Sequence, residues 1–268
     1  MLGKCAQIWD KVKIKKPLVH CISNYVTVND VANIILASGA SPAMCEHPRE
    51  AGDFACMAQA VYFNLGTLSD EQEVAMRETL KTVAGKGIPV IIDPVACGVI
   101  PRRKEILARL FQLGPITAIK GNTAEIKSLA GIASHARGVD SLDSGEGIEK
   151  ACRIIARREK TLVAASGKID LVTDGDRMAY IKNGTSMFAN ITGAGCMLGG
   201  VIAACEGTVP GEPWLASITA LCAFSIAGEK AAQLSGNNPG TFHSLLFDKL
   251  FNLRAEDIRK EARVEWKL

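Results

Sequence analysis

The sequence has no large excess of charge of either sign. Its 268 residues include 31 Lys and Arg against 28 Asp and Glu, which leaves a formal net charge of +3. The basic side chains are scattered, apart from a short cluster near the start at Lys11, Lys13, Lys15 and Lys16. A nucleic-acid-binding face needs Lys and Arg gathered on one surface. We therefore expect no nucleic-acid partner and interpret the cluster as a solvated first turn.

Paired cysteines and long apolar runs are also missing. None of the nine cysteines has Cys-x-x-Cys spacing, and Cys152, Cys205 and Cys222 fall inside helical patterns, where a small apolar side chain packs well. This usage predicts reduced thiols in the cytoplasm. Lys4 and Asp10 interrupt any apolar leader, and no stretch has the roughly 20 uninterrupted apolar residues that a membrane span requires. We expect a cytoplasmic protein with no membrane partner.

The sequence lacks any internal repeat, low-complexity segment or linker. At 48% hydrophobic residues, the chain can bury a substantial core. We therefore predict a single domain over residues 1–268 rather than two small ones.

Strand and helix patterns alternate along most of the chain. Short apolar runs predict buried parallel strands at 87–94, 115–122 and 160–167. Apolar residues three and four positions apart predict helices at 71–84, 103–113 and 147–160. This alternation predicts an α/β fold, with a mostly parallel central sheet and helices on both faces.

The pattern changes after Gly167. Two alternating runs flank Asp174 and Gly175, which predicts a hairpin that forms an antiparallel edge on the sheet. The last third is predicted to be helical, at 197–206 and 214–234. Both helices are apolar around most of their circumference, so we expect them to be buried.

Residues at the strand ends are the first candidates for a site, because ligands of open α/β sheets bind beyond the carboxyl ends of the strands. Asp93 ends one strand, where it is either a turn residue before Pro94 or a functional carboxylate. The next strand ends in KGNTAEI, in which Asn122 and Glu125 have capping-box spacing. The same geometry places Lys120 and Glu125 beside Asp93, where a cation and two carboxylates could hold a phosphate chain and its magnesium. The capping and metal-binding roles are compatible.

The segment ITGAGCMLGG combines a flexible backbone with the start of a helix. Gly193 and Gly195 permit positive φ and close backbone approach, and the helix that begins near Cys196 offers unpaired N–H groups. An anion hole is therefore predicted at Gly193, Ala194, Gly195 and Cys196. A dinucleotide-binding fingerprint fits poorly because Leu198 stands at its third glycine position, and the P-loop motif occurs nowhere in the sequence.

The thiol of Cys196 has two interpretations. A buried structural cysteine is the commoner one. A thiol at a helix N-terminus, however, has a pKa lowered from about 8.5, which makes it a candidate acid, base or nucleophile. Because of this position we favour the catalytic interpretation.

Six short segments occur in a characteristic order along almost the whole chain. They are VHCISNYVTVNDVAN (19–33), GASPAM (39–44), NLGTL (64–68), VIIDPV (90–95), KGNTAEI (120–126) and ITGAGCMLG (191–199). In this order they resemble the hydroxyethylthiazole kinase family of the ribokinase-like superfamily. The resemblance implies a ribokinase-like fold and the phosphorylation of 4-methyl-5-(2-hydroxyethyl)thiazole from ATP with Mg²⁺, in thiamine salvage. It also implies a homotrimer with active sites between subunits.

The resemblance further implies roles for single residues. The residues implied to contact the thiazole alcohol are Asn24, Val26, Met44, Gly66, Thr67 and Gly193. Those implied to contact ATP are Lys120, Asn122 and Ser166. Those implied to organise Mg²⁺, directly or through water, are Asp93 and Glu125. Cys196 is implied to be the catalytic residue.

Two positions depart from the family pattern. Lys120 stands where the family usually has Arg. Because the Lys ammonium is a point charge and lacks the planar, two-pronged guanidinium of Arg, we expect it to loosen phosphate alignment without abolishing it. Ala96, Cys97 and Gly98 stand where the family usually has Gly-Ala-Gly. No role is assigned to Cys97.

Ribokinase-like sugar kinases commonly have an aspartate where this sequence has Cys196. Phosphoryl transfer passes through a loose transition state, so positioning and charge neutralisation matter more than a strong base. A thiol can then act as a weak base or hydrogen-bond partner to the attacking hydroxyl, at some loss of rate. We hypothesise that an apolar thiol receives a neutral, sulfur-containing alcohol at lower desolvation cost than a carboxylate does.

Three other functions remain open from the sequence. One is a kinase of another small alcohol, such as a pyrimidine or a pyridoxal-like compound, which the NYV and SPAM segments disfavour. The second is an ATP-dependent nicotinamide-hydrate dehydratase, which usually keeps an aspartate in the glycine loop, so Cys196 disfavours it. The third is a non-catalytic thiazole-binding or redox-sensing protein, which ADP production would exclude.

Overall fold

The computed structural model describes residues 1–132, 136–137, 140–141 and 147–268. The strands in chain order are β1 Leu18–Ile22, β2 Ser41–Ala43, β3 Ala60–Asn64, β4 Val90–Asp93, β5 Ala118–Asn122, β6 Ala136–Arg137, β7 Asp140–Ser141, β8 Leu162–Ser166, β9 Asp170–Thr173, β10 Met178–Ile181 and β11 Val264–Lys267. Nine of them form one sheet in the order β11-β10-β9-β8-β5-β4-β3-β1-β2, and β6 pairs with β7 separately.

The central sheet is mostly parallel, as predicted. Strands β2, β1, β3, β4, β5 and β8 lie side by side and run in parallel. Strands β9, β10 and β11 continue the sheet in antiparallel pairs. The predicted strands correspond to β4, β5 and β8, and the predicted hairpin is β9–β10. Its turn contains Gly175, whose φ of 104° lies in a region that favours glycine.

The C-terminal strand differs from the prediction that the last third is helical. Strand β11 pairs with β10 so that Val264 lies opposite Ile181. Its four residues, VEWK, alternate between half-buried and exposed positions. So short a run gives little local signal, and the pairing with a strand distant in sequence determines its conformation.

Helices cover both faces of the sheet, which confirms that prediction. They are α1 Leu2–Lys15, α2 Val28–Ser38, α3 Ala51–Ala55, α4 Asp70–Val83, α5 Pro101–Leu113, α6 Thr123–Leu129, α7 Ile148–Glu159, α8 Ala194–Thr208, α9 Pro213–Ser235, α10 Pro239–Asn252 and α11 Ala255–Glu261. One apolar core joins the sheet to α1, α2 and α8 to α11, and a second core joins it to α3 to α7.

Helix α9 passes through the first of these cores. Among the described helices, it is the one long and apolar enough to cross a membrane, but 83% of its most apolar window is buried inside the protein. It packs against α1, α8 and α10. Contact with neighbours on several sides accounts for the apolar circumference seen in its sequence.

The topology defines one edge of the sheet as the place for a site. After β1 the chain adds β2 on one side and then places β3 on the other, so the strand order reverses between β1 and β3. Ligands of open α/β sheets bind beyond the carboxyl ends of the strands at such a switch point. Helix α8 packs across β1, β3, β4 and β5, and its first turn lies close to the side chains of Tyr62 in β3 and Lys120 in β5.

Candidate active site

A buried ion pair lies where β4 and β5 end. Lys120 Nζ lies 3.1 Å from Asp93 Oδ2, and the two side chains are 4% and 2% exposed. Burial acts to lower the pKa of Lys120, but the attraction of Asp93 and Glu125 outweighs it and the pKa is raised, so Lys120 stays a cation. Asp93 Oδ1 is buried and has no hydrogen-bond partner among the described residues. A buried, unpartnered carboxylate oxygen beside a cation is a position that a ligand can satisfy.

Glu125 joins the start of α6 to the turn after β4. Its Oε2 accepts the Asn122 N–H at 2.7 Å, while its own N–H donates to Asn122 Oδ1 at 2.9 Å, so the predicted capping box is confirmed. Its Oε1 accepts the N–H of Ala96 at 2.7 Å. Burial, and next the charge of Asp93, raise the pKa of Glu125 to about 7. Ala96 adopts a left-handed φ of 57°, a conformation that residues other than glycine seldom occupy.

The glycine loop forms the start of α8 beside this acidic pair. The helix begins at Ala194, and Gly193 caps it with φ of 82°. A Cβ atom at position 193 would lie 2.6 Å from Thr27 Cγ2, and one at position 195 would lie 2.7 Å from Lys120 Nζ. Both glycines are therefore needed for close packing. The unpaired N–H groups of the first helical turn and the Lys120 ammonium together create a positive environment for an anion.

Cys196 lies in the first turn of α8 and is 9% exposed. Burial, and next the nearby Asp93 carboxylate, raise the pKa of its thiol, although Lys120 opposes the shift. The predicted lowering of the Cys196 pKa is therefore wrong. The helix N-terminus is present as predicted, but desolvation and a neighbouring negative charge oppose it. The side chain is a neutral thiol at neutral pH.

Two asparagines connect Cys196 with the loops that follow β1 and β3. Asn24 Nδ2 lies 3.6 Å from Cys196 Sγ and 2.9 Å from Asn64 Oδ1. Asn64 Oδ1 also accepts the N–H of Gly66 at 2.9 Å. The N–H of Val26 donates to Asn24 Oδ1 at 3.1 Å, which orders the loop after β1. Asn24, Gly66 and Cys196 are thus brought together as the resemblance implied.

The other residues implied to contact substrate surround this network at different depths. Met44 directly follows β2 and is half-buried against the first of the two apolar cores. Thr67 is exposed and has a left-handed φ of 40°. Val26 is 54% exposed, and the adjacent Tyr25 is 76% exposed. Val26 therefore lies on the rim of the site rather than within it.

Ser166 ends β8 on the other side of the ion pair. It lies opposite Asn122 in the parallel register of β5 and β8. Its hydroxyl donates to the carbonyl of Gly121 at 3.4 Å. The residues implied to contact ATP, Lys120, Asn122 and Ser166, therefore occupy neighbouring strand ends.

Sequence reasoning missed Tyr62 and Asn64. Asn64 Nδ2 donates to the Tyr62 hydroxyl at 3.0 Å, and that hydroxyl donates to the carbonyl of Cys196 at 3.0 Å. The alternation of residues along β3 could have revealed them. Val61 and Phe63 belong to one core, while Tyr62 and Asn64 alternate with them and face α8. Two polar side chains on one face of a buried strand suggest a built polar network.

Asp93 and Glu125 are the carboxylates predicted to hold magnesium. Within the described ranges, no group of three or more His, Cys, Asp or Glu side chains could hold a metal. Mg²⁺ commonly uses only one or two carboxylates together with substrate phosphates. Asp93, with its unpartnered oxygen, and Glu125 fit such an arrangement. A cation, two acids, a cluster of N–H donors and a thiol at one sheet edge are suited to phosphoryl transfer.

Known proteins with similar sequences and folds are kinases. A sequence profile of the hydroxyethylthiazole kinase family matches residues 9–256. The chain is 60% identical over 266 residues to a hydroxyethylthiazole kinase of Syntrophomonas wolfei, covering 99% of this chain and 100% of that protein. It is similar to the structure of a hydroxyethylthiazole kinase protein from Pyrococcus horikoshii OT3, with a TM-score of 0.88, 32% identity and 99% of both chains covered. A ribokinase-like superfamily protein from Enterococcus faecalis V583 shares the fold at a TM-score of 0.61 and 13% identity, over 87% of this chain and 86% of that one.

Proposed function

The chain belongs to the hydroxyethylthiazole kinase family, and from this premise we propose that it phosphorylates the hydroxyl of 4-methyl-5-(2-hydroxyethyl)thiazole from ATP. It is an enzyme of a kinase family with a ribokinase-like fold. The thiazole phosphate it forms serves thiamine synthesis by salvage. The observation that carries the proposal is the buried Asp93–Lys120 pair next to the glycine-capped start of α8.

We assign the phosphate chain of ATP to this cluster. The N–H groups from Gly193 to Cys196 and the ammonium of Lys120 supply positive charge where the transferred phosphoryl group gains negative charge. Lys120, Asn122 and Ser166 lie at adjacent strand ends, which suits an extended nucleotide. The ammonium of Lys120 is a single point charge, whereas the planar guanidinium of Arg forms two parallel hydrogen bonds. The alignment of the phosphate by Lys120 therefore depends on the ion pair with Asp93.

Asp93 and Glu125 are the residues that would hold Mg²⁺, directly or through water. When bound there, Mg²⁺ neutralises charge on the phosphate oxygens. Both Glu125 oxygens already accept backbone N–H groups, so this carboxylate is fixed in direction before any ligand arrives. Asp93 Oδ1 has no such partner among the described residues and is the freer acceptor.

Cys196 is proposed to contact the attacking hydroxyl as a neutral thiol. Since its pKa is raised, it acts as a hydrogen-bond partner that orients the attacking hydroxyl, rather than as a thiolate base or nucleophile. The hydroxyl proton then passes to an oxygen of the transferred phosphoryl group or to water. A loose transition state tolerates this, because the hydroxyl proton need leave only late in the reaction. The thiol and the half-buried Met44 also offer soft, polarisable contacts for a sulfur-containing ring.

The rim of the site supports assembly into a homotrimer with active sites between subunits. Tyr25 and Val26 are 76% and 54% exposed directly beside the buried Asn24. Apolar side chains exposed next to a binding site are candidates for cover by another subunit. All nine cysteines are free, which suits the reducing cytoplasm we propose for it.

The test is ADP release from ATP and Mg²⁺ with and without the thiazole alcohol, followed by mass detection of the product. We expect ADP release to depend on the thiazole and to match formation of its phosphate ester. Pyridoxal and a nicotinamide hydrate serve as competing substrates. Thiazole-independent ADP release, or preferential turnover of either competitor by well-folded protein, would contradict the proposal.

A further inference from the structure

One buried tyrosine connects the central sheet to the turn that carries the thiol. Tyr62 lies in the middle of β3 and is 0% exposed. A Cβ atom at Gly199 would lie 2.5 Å from both Tyr62 Cζ and the Tyr62 hydroxyl oxygen. The ring therefore fills the space that the missing side chain of Gly199 leaves. This fit brings α8 close to the strand, and any larger residue at 199 would force the two apart.

The hydroxyl of Tyr62 forms two hydrogen bonds in this space. It donates to the backbone carbonyl of Cys196 at 3.0 Å and accepts from Asn64 Nδ2 at 3.0 Å. A carbonyl oxygen can only accept, so the single proton of the Tyr62 hydroxyl lies in the bond to Cys196. As a permanent donor, it fixes the direction of the chain from Asn64 to Cys196.

The same chain reaches the loops that border the thiol. Asn64 Oδ1 accepts from Asn24 Nδ2 and from the N–H of Gly66, each at 2.9 Å. Asn24 Nδ2 in turn lies 3.6 Å from Cys196 Sγ. Tyr62 therefore contacts the backbone of Cys196, and Asn24 lies beside its thiol. Asn64 forms hydrogen bonds with both Tyr62 and Asn24.

We propose that Tyr62 is a positioning residue for Cys196, and that its hydroxyl sets where the first turn of α8 places the thiol relative to the two loops. The proposal rests on the proposed function, since it concerns the same site. Tyr62 is fully buried under α8, so its ring is in contact with neither substrate nor solvent. Its hydroxyl acts on the thiol through the Cys196 backbone carbonyl and through Asn64.

The test is Tyr62→Phe, which keeps the ring against Gly199 and removes only the hydroxyl. The matched control is Thr161→Val, which removes another buried hydroxyl that donates to a backbone carbonyl, that of Ile116 at 2.7 Å. Thr161 precedes β8 and so lies at the amino-terminal edge of the parallel strands, away from the site. Each variant removes a hydroxyl with two buried hydrogen bonds, but only Tyr62→Phe loses a contact to Cys196.

We expect kcat of Tyr62→Phe to fall about tenfold, while KM for ATP stays within about twofold of wild type, since a tenfold rate change corresponds to a small shift of a reacting group. Thr161→Val should keep the wild-type kcat. A second readout needs no kinase activity: the rate at which iodoacetamide alkylates Cys196, followed by peptide mass spectrometry. Looser packing of the first turn should raise this rate at least about threefold in Tyr62→Phe and not in Thr161→Val.

Gly199→Ala disturbs the same contact between α8 and Tyr62, but from the side of the helix. Its added methyl group should lower kcat and accelerate Cys196 alkylation in the same direction, even though the hydroxyl remains. If both Tyr62→Phe and Gly199→Ala keep wild-type kcat and alkylation rates, Tyr62 is only a core residue and the inference is overturned. If the wild-type protein does not act on the thiazole but the alkylation rates change as expected, the proposed function fails and the positioning role stands.

Discussion

At the scale of single residues, the thiol illustrates how burial changes an expectation drawn from position alone. A helix N-terminus lowers the pKa of an exposed thiol, and sequence reasoning applied that rule to Cys196. In the folded protein, the same residue is 9% exposed and lies near Asp93, and its pKa is raised. Neither the burial nor the neighbouring charge can be read from ITGAGCMLG, because both come from strands distant in sequence.

Substitutions of Cys196 test whether the thiol assists the attacking hydroxyl or only provides an apolar contact that fits the thiazole. We expect Cys196→Ser and Cys196→Ala to bind thiazole with little change in KM but to lower kcat by about ten- to a hundredfold, because the attacking hydroxyl loses the hydrogen-bond partner that orients it. Cys196→Asp should raise kcat and also raise KM for thiazole, because a carboxylate loses more hydration than a thiol. Steady-state kinetics against both substrates measures these changes.

Cys205→Ala is the matched control, since Cys205 is a fully buried cysteine of the same helix. It should leave both constants unchanged. An unchanged KM with a higher kcat in Cys196→Asp would contradict the fit hypothesis but not the orienting role. A folded Cys196→Ser enzyme with no measurable turnover would contradict both.

Several site residues could be found in the sequence because they follow strands. Asp93, Lys120 and Glu125 come together where β4 and β5 end, as their spacing after apolar runs predicted. Asn64 and Tyr62 were missed because a polar residue inside an apolar run is usually attributed to the core. Their functions in the network depend on which face of β3 meets α8, and that is a property of the tertiary fold.

At the scale of elements, α8 and α9 share a buried acid. Glu206 of α8 is 0% exposed, and its Oε1 accepts the hydroxyl of Ser217 on α9 at 2.8 Å. Its Oε2 is buried without a partner among the described residues. Burial raises the pKa of Glu206 to about 8. The two helices therefore pack around a protonated carboxyl at neutral pH.

This arrangement predicts how stability depends on pH. The folded state holds the Glu206 proton more tightly than the unfolded state, whose pKa is about 4.3. The stabilisation is fully present below that value and is lost as pH rises towards about 8. We expect Glu206→Gln, which cannot ionise, to gain on the order of 4 kcal/mol relative to wild type between about pH 5 and pH 9.

Urea unfolding at a series of pH values measures the difference in the free energy of unfolding. The exposed Glu212→Gln, between the same two helices, is the control and should follow wild type at every pH. A constant difference between Glu206→Gln and wild type across this range would show that the pKa of Glu206 is not raised in the folded protein, which would contradict the prediction.

The elements themselves were predictable to the extent that their sequences carry local signals. Strands β4, β5 and β8 begin with apolar residues, end in polar ones and are almost entirely buried, and the β9–β10 hairpin has Asp-Gly at its turn. Strand β11 has only four residues and is formed by pairing with β10, so nothing nearby in sequence distinguishes it from a helical tail. The order of the strands follows from tertiary packing rather than from any one segment.

At the scale of the whole molecule, assembly is the first property to measure. We expect a mass of about three times the 28.5 kDa chain in sedimentation equilibrium, with Tyr25 and Val26 covered by a neighbouring subunit. Tyr25→Asp should dissociate the trimer and lower activity, because a charge at a buried interface is costly. The control Ile14→Asp changes a side chain of similar exposure, 78%, on α1. A fully active monomer would contradict assembly of the site between subunits.

The proposal of one domain over residues 1–268 has a thermodynamic consequence. One sheet carries two apolar cores, and strands of the sheet contribute to both. Loss of the sheet should therefore expose both cores together, in one cooperative transition.

The measurement that tests the site most directly is kcat of Asp93→Asn with the thiazole alcohol. This substitution keeps the shape of the side chain but removes the charge paired with Lys120 and the acceptor proposed for Mg²⁺. Asp176→Asn, with a side chain 89% exposed on the hairpin, is the control. We expect a folded Asp93→Asn protein whose kcat falls at least about a hundredfold while Asp176→Asn keeps the wild-type value. A kcat for Asp93→Asn within twofold of wild type would mean that the phosphoryl group is transferred elsewhere.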